Sequence, residues 1–239
     1  MILWPVLLAA FTPADAVAFV LLAIAWALTG FVAEHPPASR PSVSQLMTDY
    51  RYRWMHEFLT RAPRIFDAAL IDSLRQGTAF FASASMIAIG GGVAMIGNAA
   101  TLQGLAQDLT LGLDASQLRI KLIVVLALLA NALLKFVWSH RLFGYCAIMM
   151  AAVPNDHTHP LAEHRARQAA EINITAARSF NRGLNAIYFA LAALGWLIGP
   201  YVLILSTLLT AGVLLRREFA SQSRQVMLED LRDPDSHAL

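Results

Sequence analysis

The sequence predicts an all-α integral membrane protein, with about five transmembrane helices and amphipathic cytoplasmic and periplasmic flanking helices. Three observations predict it. Apolar residues fill 57% of the 239 positions and charged residues 14%, against roughly 45–50% and about 25% in soluble domains. Four apolar regions run from Ala16 to Ala33, Thr78 to Ala100, Ile120 to Val137 and Leu184 to Leu215. Arginines gather in alternate connections, which is the mark of membrane topology. Five spans of about 20 residues with short connections use nearly the whole chain. A single transmembrane domain over 1–239 is expected, with no separate soluble catalytic domain.

Met1 to Phe11 is apolar but lacks a positive n-region and a small-residue cleavage site, so it is not read as a cleaved signal peptide. Thr12-Pro13-Ala14-Asp15 reads as a helix start, with Thr12 as N-cap, Pro13 in the first turn and Asp15 at the positive end. The first span is placed at about 13–33. Ser42 to Thr60 carries Leu46, Tyr50, Trp54, Met55, Phe58 and Leu59 at near-helical intervals among charges, which predicts a helix lying on the inner membrane face. After Pro63, Arg64 to Gly77 reads as a stalk with an apolar stripe of Ile65, Phe66, Ala69, Leu70 and Leu74. Cytoplasmic interfacial helices thus cover about 42–77, and the second span about 78–100.

Thr101 to Leu113 resembles a short outer amphipathic helix carrying Leu102, Leu105 and Leu109, followed by a third span at about 119–140. Leu184 to Leu215 is 32 residues, about 48 Å of helix against a hydrocarbon core of about 30 Å. Gly199-Pro200 divides it, because a C-terminal glycine ends one helix and a proline opens the next. The result is a hairpin of spans at about 178–198 and 200–219, with a frayed tail over 230–239.

Every arginine and lysine except Arg119 and Lys121 falls before span two, between spans three and four, after span five, or at the inner end of a span. The positive-inside rule then puts the N-terminus outside and the C-terminus in the cytoplasm of a bacterial inner membrane, with five spans rather than four. The net charge of +2 is too small to argue for nucleic acid. Cys146 is alone, so neither a disulfide framework nor a cysteine metal cage is indicated.

Few residues carry chemistry. Gly90, Gly91 and Gly92 lie in an apolar run with no Lys-Ser/Thr after them, so they read as a close helix contact or pore lining rather than a phosphate loop. Gly195 and Gly199 give a GxxxG spacing near the hairpin turn, which again reads as packing. Asn131 and Lys135 stand one turn apart on span three; with Asn185 of span four they form a candidate polar path, against which Lys135 also suits a snorkelling anchor. Asp156, His157, His159, Glu163 and His164, with His140 upstream, contain metal-ligand types but no HExxH or cysteine partners, and a solvated turn explains them. No metal site and no cofactor are expected. Asn173-Ile174-Thr175 matches a glycosylation sequon on the cytoplasmic side. No nucleophile elbow and no paired carboxylates appear, so an enzyme is not expected.

Several segments together resemble the domain of unknown function family 599. They are Arg51-Tyr52-Arg53-Trp54-Met55, Arg64-Ile65-Phe66-Asp67-Ala68-Ala69-Leu70, Phe80-Phe81-Ala82-Ser83, Phe180-Asn181-Arg182-Gly183-Leu184, Tyr188 to Trp196, and Arg216-Arg217-Glu218-Phe219. The likeness covers about residues 15–220 and implies a multi-pass membrane protein, with no activity to carry over. It draws attention to Arg51, Arg53, Arg64, Asp67, Asn181 and Arg182 near the inner face. Asp67 is expected to pair with Arg64 or Arg182, while the arginine forks suit a carboxylate or phosphate. Two functions follow as expectations. One is an oligomeric channel or transporter for an ion or small solute. The other is a structural or accessory subunit that binds a membrane-protein partner or anionic lipid through its inner-face arginines.

Overall fold

The computed structural model describes residues 11–98 and 115–232. The expected outer helix over 101–113 lies outside them; of the frayed tail expected over 230–239, residues 230–232 are helical instead and 233–239 lie outside the described residues. The described residues form α1 (Pro13–Glu34), α2 (Val43–Glu57), α3 (Ile65–Gly97), α4 (Ala115–Ala151), α5 (Ala162–Ala193), a short 3-10 turn (Leu194–Leu197), α6 (Pro200–Phe219) and α7 (Gln222–Arg232), with no strand among them. Three helices, α1, α3 and α4, are long and apolar enough to cross a membrane. The last two expected spans fall on α5 and α6, which are not among those three. α5 is polar through its first half, and α6 closes on Arg216 and Arg217.

Local chemistry sets the helix ends. Thr12 and Asp15 form a reciprocal capping box: the Thr12 N–H donates to Asp15 Oδ2 at 3.0 Å and the Asp15 N–H to Thr12 Oγ1 at 3.2 Å. Ser42 Oγ accepts from the Gln45 N–H at 3.1 Å and donates to the Ala33 carbonyl at 2.6 Å, capping α2 and tying it to the end of α1. The helix after α5 tightens into the 3-10 turn, breaks at Gly199 and restarts at Pro200.

The chain divides into two compact units. The first comprises Met1–Thr29, Ala82–Leu134 and Gly183–Gly212; the second comprises Gly30–Phe81, Lys135–Arg182 and Val213–Leu239. In the first, Ala18, Leu22, Phe189 and Leu203 are buried, and Leu118 and Leu122 cluster with Ile96 and Leu197. The hairpin arms meet closely. Ser206 Oγ donates to the Ala192 carbonyl at 2.8 Å, and a Cβ on Gly195 would lie 2.8 Å from that Oγ and 3.2 Å from the Val202 carbonyl. Only glycine leaves room there.

In the second unit Met55, Phe58, Leu59, Ile71, Phe143, Met150 and the alanine face of α5 form one core. The α5 face reads Ala162, Ala166, Ala169, Ala170 and Ala176, small residues that let helices approach closely. Phe81, Phe136 and Phe180 pack ring on ring at 5.4–5.6 Å. This core corrects the reading of α2 as a helix laid on lipid: Leu46, Met55, Phe58 and Leu59 are buried in the protein and Trp54 packs on the core. Amphipathic spacing reports an apolar neighbour without saying whether it is protein or lipid. The stalk stripe is corrected too. Ile71 and Leu74 face the core, whereas Ile65 and Phe66 are exposed at 72% and 63%.

Candidate functional site

The polar residues singled out near the inner face fall in the second unit, and most are tied to other parts of it. Asp67 is completely buried in the first turn of α3. Trp54 Nε1 donates to its Oδ1 at 2.7 Å, and Arg61 makes an ion pair with the same oxygen. The expected pairing with Arg64 or Arg182 is therefore replaced. Arg64 donates instead to the Val153 and Pro154 carbonyls, each at 3.0 Å, and lies over the Phe58 ring, so it closes the C-terminal end of α4. The distance along the chain misled here: Arg61 belongs to the turn preceding α3 and folds back over Phe66.

Arg182 grips Glu34 with two parallel hydrogen bonds, Nε to Oε1 at 2.6 Å and Nη2 to Oε2, a geometry that suits arginine. It lies in the middle of the continuous α5 and not at a helix start. Arg51 donates to the Oδ1 of Asn173, whose Nδ2 reaches Cys146 Sγ at 3.6 Å. Burial holds the Arg51 guanidinium below its ordinary pKa. Asn173, the sequon asparagine, is completely buried. Arg53 lies over the Tyr50 ring at 5.3 Å, and Asn181 is exposed. Arg51, Arg64, Asp67 and Arg182 thus join segments of the unit to each other.

The polar-path residues are spread out. Asn185 donates to the Trp26 carbonyl at 3.0 Å and accepts from Thr29 Oγ1 at 3.2 Å, which locks α5 to α1 within the first unit. Asn131 and Lys135 are half-buried on α4. Gly92 abuts Leu126, while Gly90 and Gly91 have open space where a side chain would stand.

The histidine-containing connection is a set of turns. Thr158 donates its N–H and hydroxyl to Asp156 Oδ1 at 2.9 and 2.6 Å, which lowers the Asp156 pKa, and the Leu161 N–H donates to His159 Nδ1 at 3.2 Å. His140 is occupied elsewhere, 3.3 Å from Thr78 Oγ1 and from the Arg75 carbonyl. Among the described residues no group of three or more His, Cys, Asp or Glu is placed to hold a metal ion.

Sequence reasoning missed a charged cluster in the first unit. Trp196 Nε1 donates to Asp15 Oδ1 at 2.6 Å, and the Lys121 ammonium lies over the Trp196 ring at 5.8 Å. Asp15, Lys121 and Trp196 are all buried, and Phe11 and Phe19 flank the indole. The sequence shows Asp15 only as a helix-start residue. The signal that could have found the cluster is that Asp15 and Lys121 are ionisable groups beside apolar runs, where charge is costly without a partner.

A family model described as a protein of unknown function, DUF599, matches residues 17–223. The chain belongs to the DUF599 family. That match takes in Arg51, Arg64, Asp67 and Arg182, and the membership accords with the resemblance seen in the same segments. No curated protein and no solved structure matches the chain.

Proposed function

We propose that this DUF599 protein is a five-span bacterial inner-membrane protein, N-terminus outside and C-terminus cytoplasmic, that serves as a structural or accessory subunit of a membrane assembly and catalyses no reaction. The observation that carries the topology is an agreement between fold and charge. The chain passes from one compact unit to the other five times, at Thr29/Gly30, Phe81/Ala82, Leu134/Lys135, Arg182/Gly183 and Gly212/Val213, each time inside a helix. Every arginine and lysine except Arg119 and Lys121 belongs to the second unit. Such a partition is what the positive-inside rule requires if the first unit is membrane-embedded and the second cytoplasmic. Within the first unit α1, α3 and α4 contribute residues 13–29, 82–97 and 115–134, about 24–30 Å of helix, near the thickness of the hydrocarbon core.

The accessory role is supported by how the polar groups are spent. Lys135 is the first residue of a second-unit segment, which supports reading it as a snorkelling anchor at the inner boundary. Asn185 bonds to α1, and the arginines tie helices together. Binding of a partner then uses the outward surface of α3, where Phe80, Met86, Ile87 and Val93 are exposed and Gly90 and Gly91 have open space. Transport between identical subunits is the second reading, favoured by the half-buried Asn131 one turn before Lys135. Purification in native nanodiscs followed by native mass spectrometry separates them. A stoichiometric foreign subunit supports the accessory role. A closed ring of this chain alone whose liposome ion flux falls in Lys135→Ala replaces it with transport.

A further inference from the structure

The junction of α6 and α7 in the second unit gathers four arginines from three segments. Arg216 and Arg217 close α6, and both are exposed. Arg40, from the connection between α1 and α2, donates through Nη2 to the Phe219 carbonyl at 3.2 Å and lies over the Phe219 ring at 5.9 Å. Its guanidinium is thereby held at the same helix end. Arg224 of α7 donates through Nε to the Pro41 carbonyl at 2.8 Å, beside Arg40 in the chain. The carboxylate of the junction, Glu218, is half-buried and accepts from the Ser44 N–H at 3.0 Å at the start of α2, while Glu229 and Asp230 come two turns into α7. Positive charge is in excess at the junction. The carbonyl end of a helix repels an anion, but Arg40 covers the last carbonyl of α6, and that bond takes one of the five N–H donors of its guanidinium.

Apolar surface adjoins this charge. Val213 and Leu215, just before the arginines, are exposed at 58% and 38%, and Val213 shares a helix face with Arg216 and Arg217. From this juxtaposition we infer that the α6–α7 junction holds the headgroup of an anionic phospholipid, with the phosphate on Arg40 and Arg216 and the start of an acyl chain along Val213. Guanidinium forks suit a phosphate, and basic residues directly after a span attract anionic headgroups. The apolar flank is what favours a lipid over a soluble anion. These are not the arginines singled out from the sequence: Arg51, Arg64 and Arg182 are tied to other helices. The inference rests on the reading of α6 as a span that ends at the inner face.

The test is native mass spectrometry of the full-length protein in detergent micelles that hold equal amounts of phosphatidylglycerol and phosphatidylcholine with matched chains. Wild type retains phosphatidylglycerol preferentially, and Arg40→Gln combined with Arg216→Gln lowers that preference by at least about 5-fold, the effect of one basic residue near an anionic headgroup. Arg165→Gln combined with Arg167→Gln removes the same charge from exposed positions on α5 and leaves the preference unchanged. Arg40→Lys combined with Arg216→Lys keeps most of it. Equal retention of the two lipids by wild type overturns the inference, a comparison that needs no variant. So does an equal fall in the α5 control, which would mean diffuse charge, or displacement of the lipid by glycerol 3-phosphate, which would assign the junction to a soluble phosphate. Micelles have no sides, so the result stands apart from the orientation of the chain, which cysteine labelling tests.

Discussion

Asp67→Ala is the perturbation that probes the second unit most sharply. The carboxylate is fully buried and holds Trp54 Nε1 at 2.7 Å and Arg61 through the same oxygen. Its removal deletes a hydrogen bond to a charged group, about 1.5–3 kcal/mol, and leaves the indole N–H unpaired, a further cost of about 1–3 kcal/mol. Arg61 remains one-third exposed, so water takes over much of its solvation and the ion-pair share is discounted. A loss of about 3 kcal/mol follows, consistent with the range for breaking a buried pair. For a chain of this length that corresponds to a fall in Tm of about 6–12 °C. Cys146 provides the assay. It is the sole cysteine and is completely buried in the same unit, so a thiol-reactive fluorophore reports unfolding of that unit in detergent. The double variants decide the partner: Arg61→Ala couples to Asp67→Ala, whereas Arg182→Ala adds independently. A Tm for Asp67→Ala within about 1 °C of the wild type, on a scale of about 2–4 °C per kcal/mol, would refute the reasoning, as would coupling to Arg182 in place of Arg61.

Gly195→Leu forces a side chain into the 2.8 Å gap before Ser206 and the nearby Val202 carbonyl. The same thermal assay should show overpacking of about 1–3 kcal/mol, while Gly91→Ala, which meets open space, stays close to wild type. Glu34→Ala removes the partner of an Arg182 side chain that is 51% exposed, so the expected loss is at most about 1 kcal/mol and differs little from that of Arg182→Ala. The hydrogen bond to Glu171 raises the Tyr52 pKa above its ordinary value. Its stabilisation is therefore complete below about pH 10, the unfolded value, and disappears as pH climbs through the higher folded value. Denaturation curves from pH 8 to 11 should show this loss in wild type and a weaker dependence in Tyr52→Phe.

What the sequence revealed depended on whether the signal was local. The helix start at Thr12 to Asp15 and the break at Gly199-Pro200 were legible because their causes lie within a few residues. The family was legible because its segments persist as strings of residues. Partners were not legible. Asp67 meets an arginine from the preceding turn, Arg64 reaches carbonyls beyond α4, and Asp15 meets Trp196 from the far end of the chain. The stripe of α2 announced an apolar neighbour but not that Phe143 and the α5 alanines would supply it.

The central claim is the five-fold crossing with the second unit on the cytoplasmic side, and cysteine accessibility tests it most directly. In a Cys146→Ser background, single cysteines replace Ser39, Asn98, Asp156 and Ser221, and intact cells are treated with a membrane-impermeant maleimide. The account predicts labelling at position 98 before lysis, and at 39, 156 and 221 only after it. Labelling of position 221 from outside intact cells would contradict the account, because the C-terminal arginines would then lie across the membrane from the rest of the second unit's positive charge.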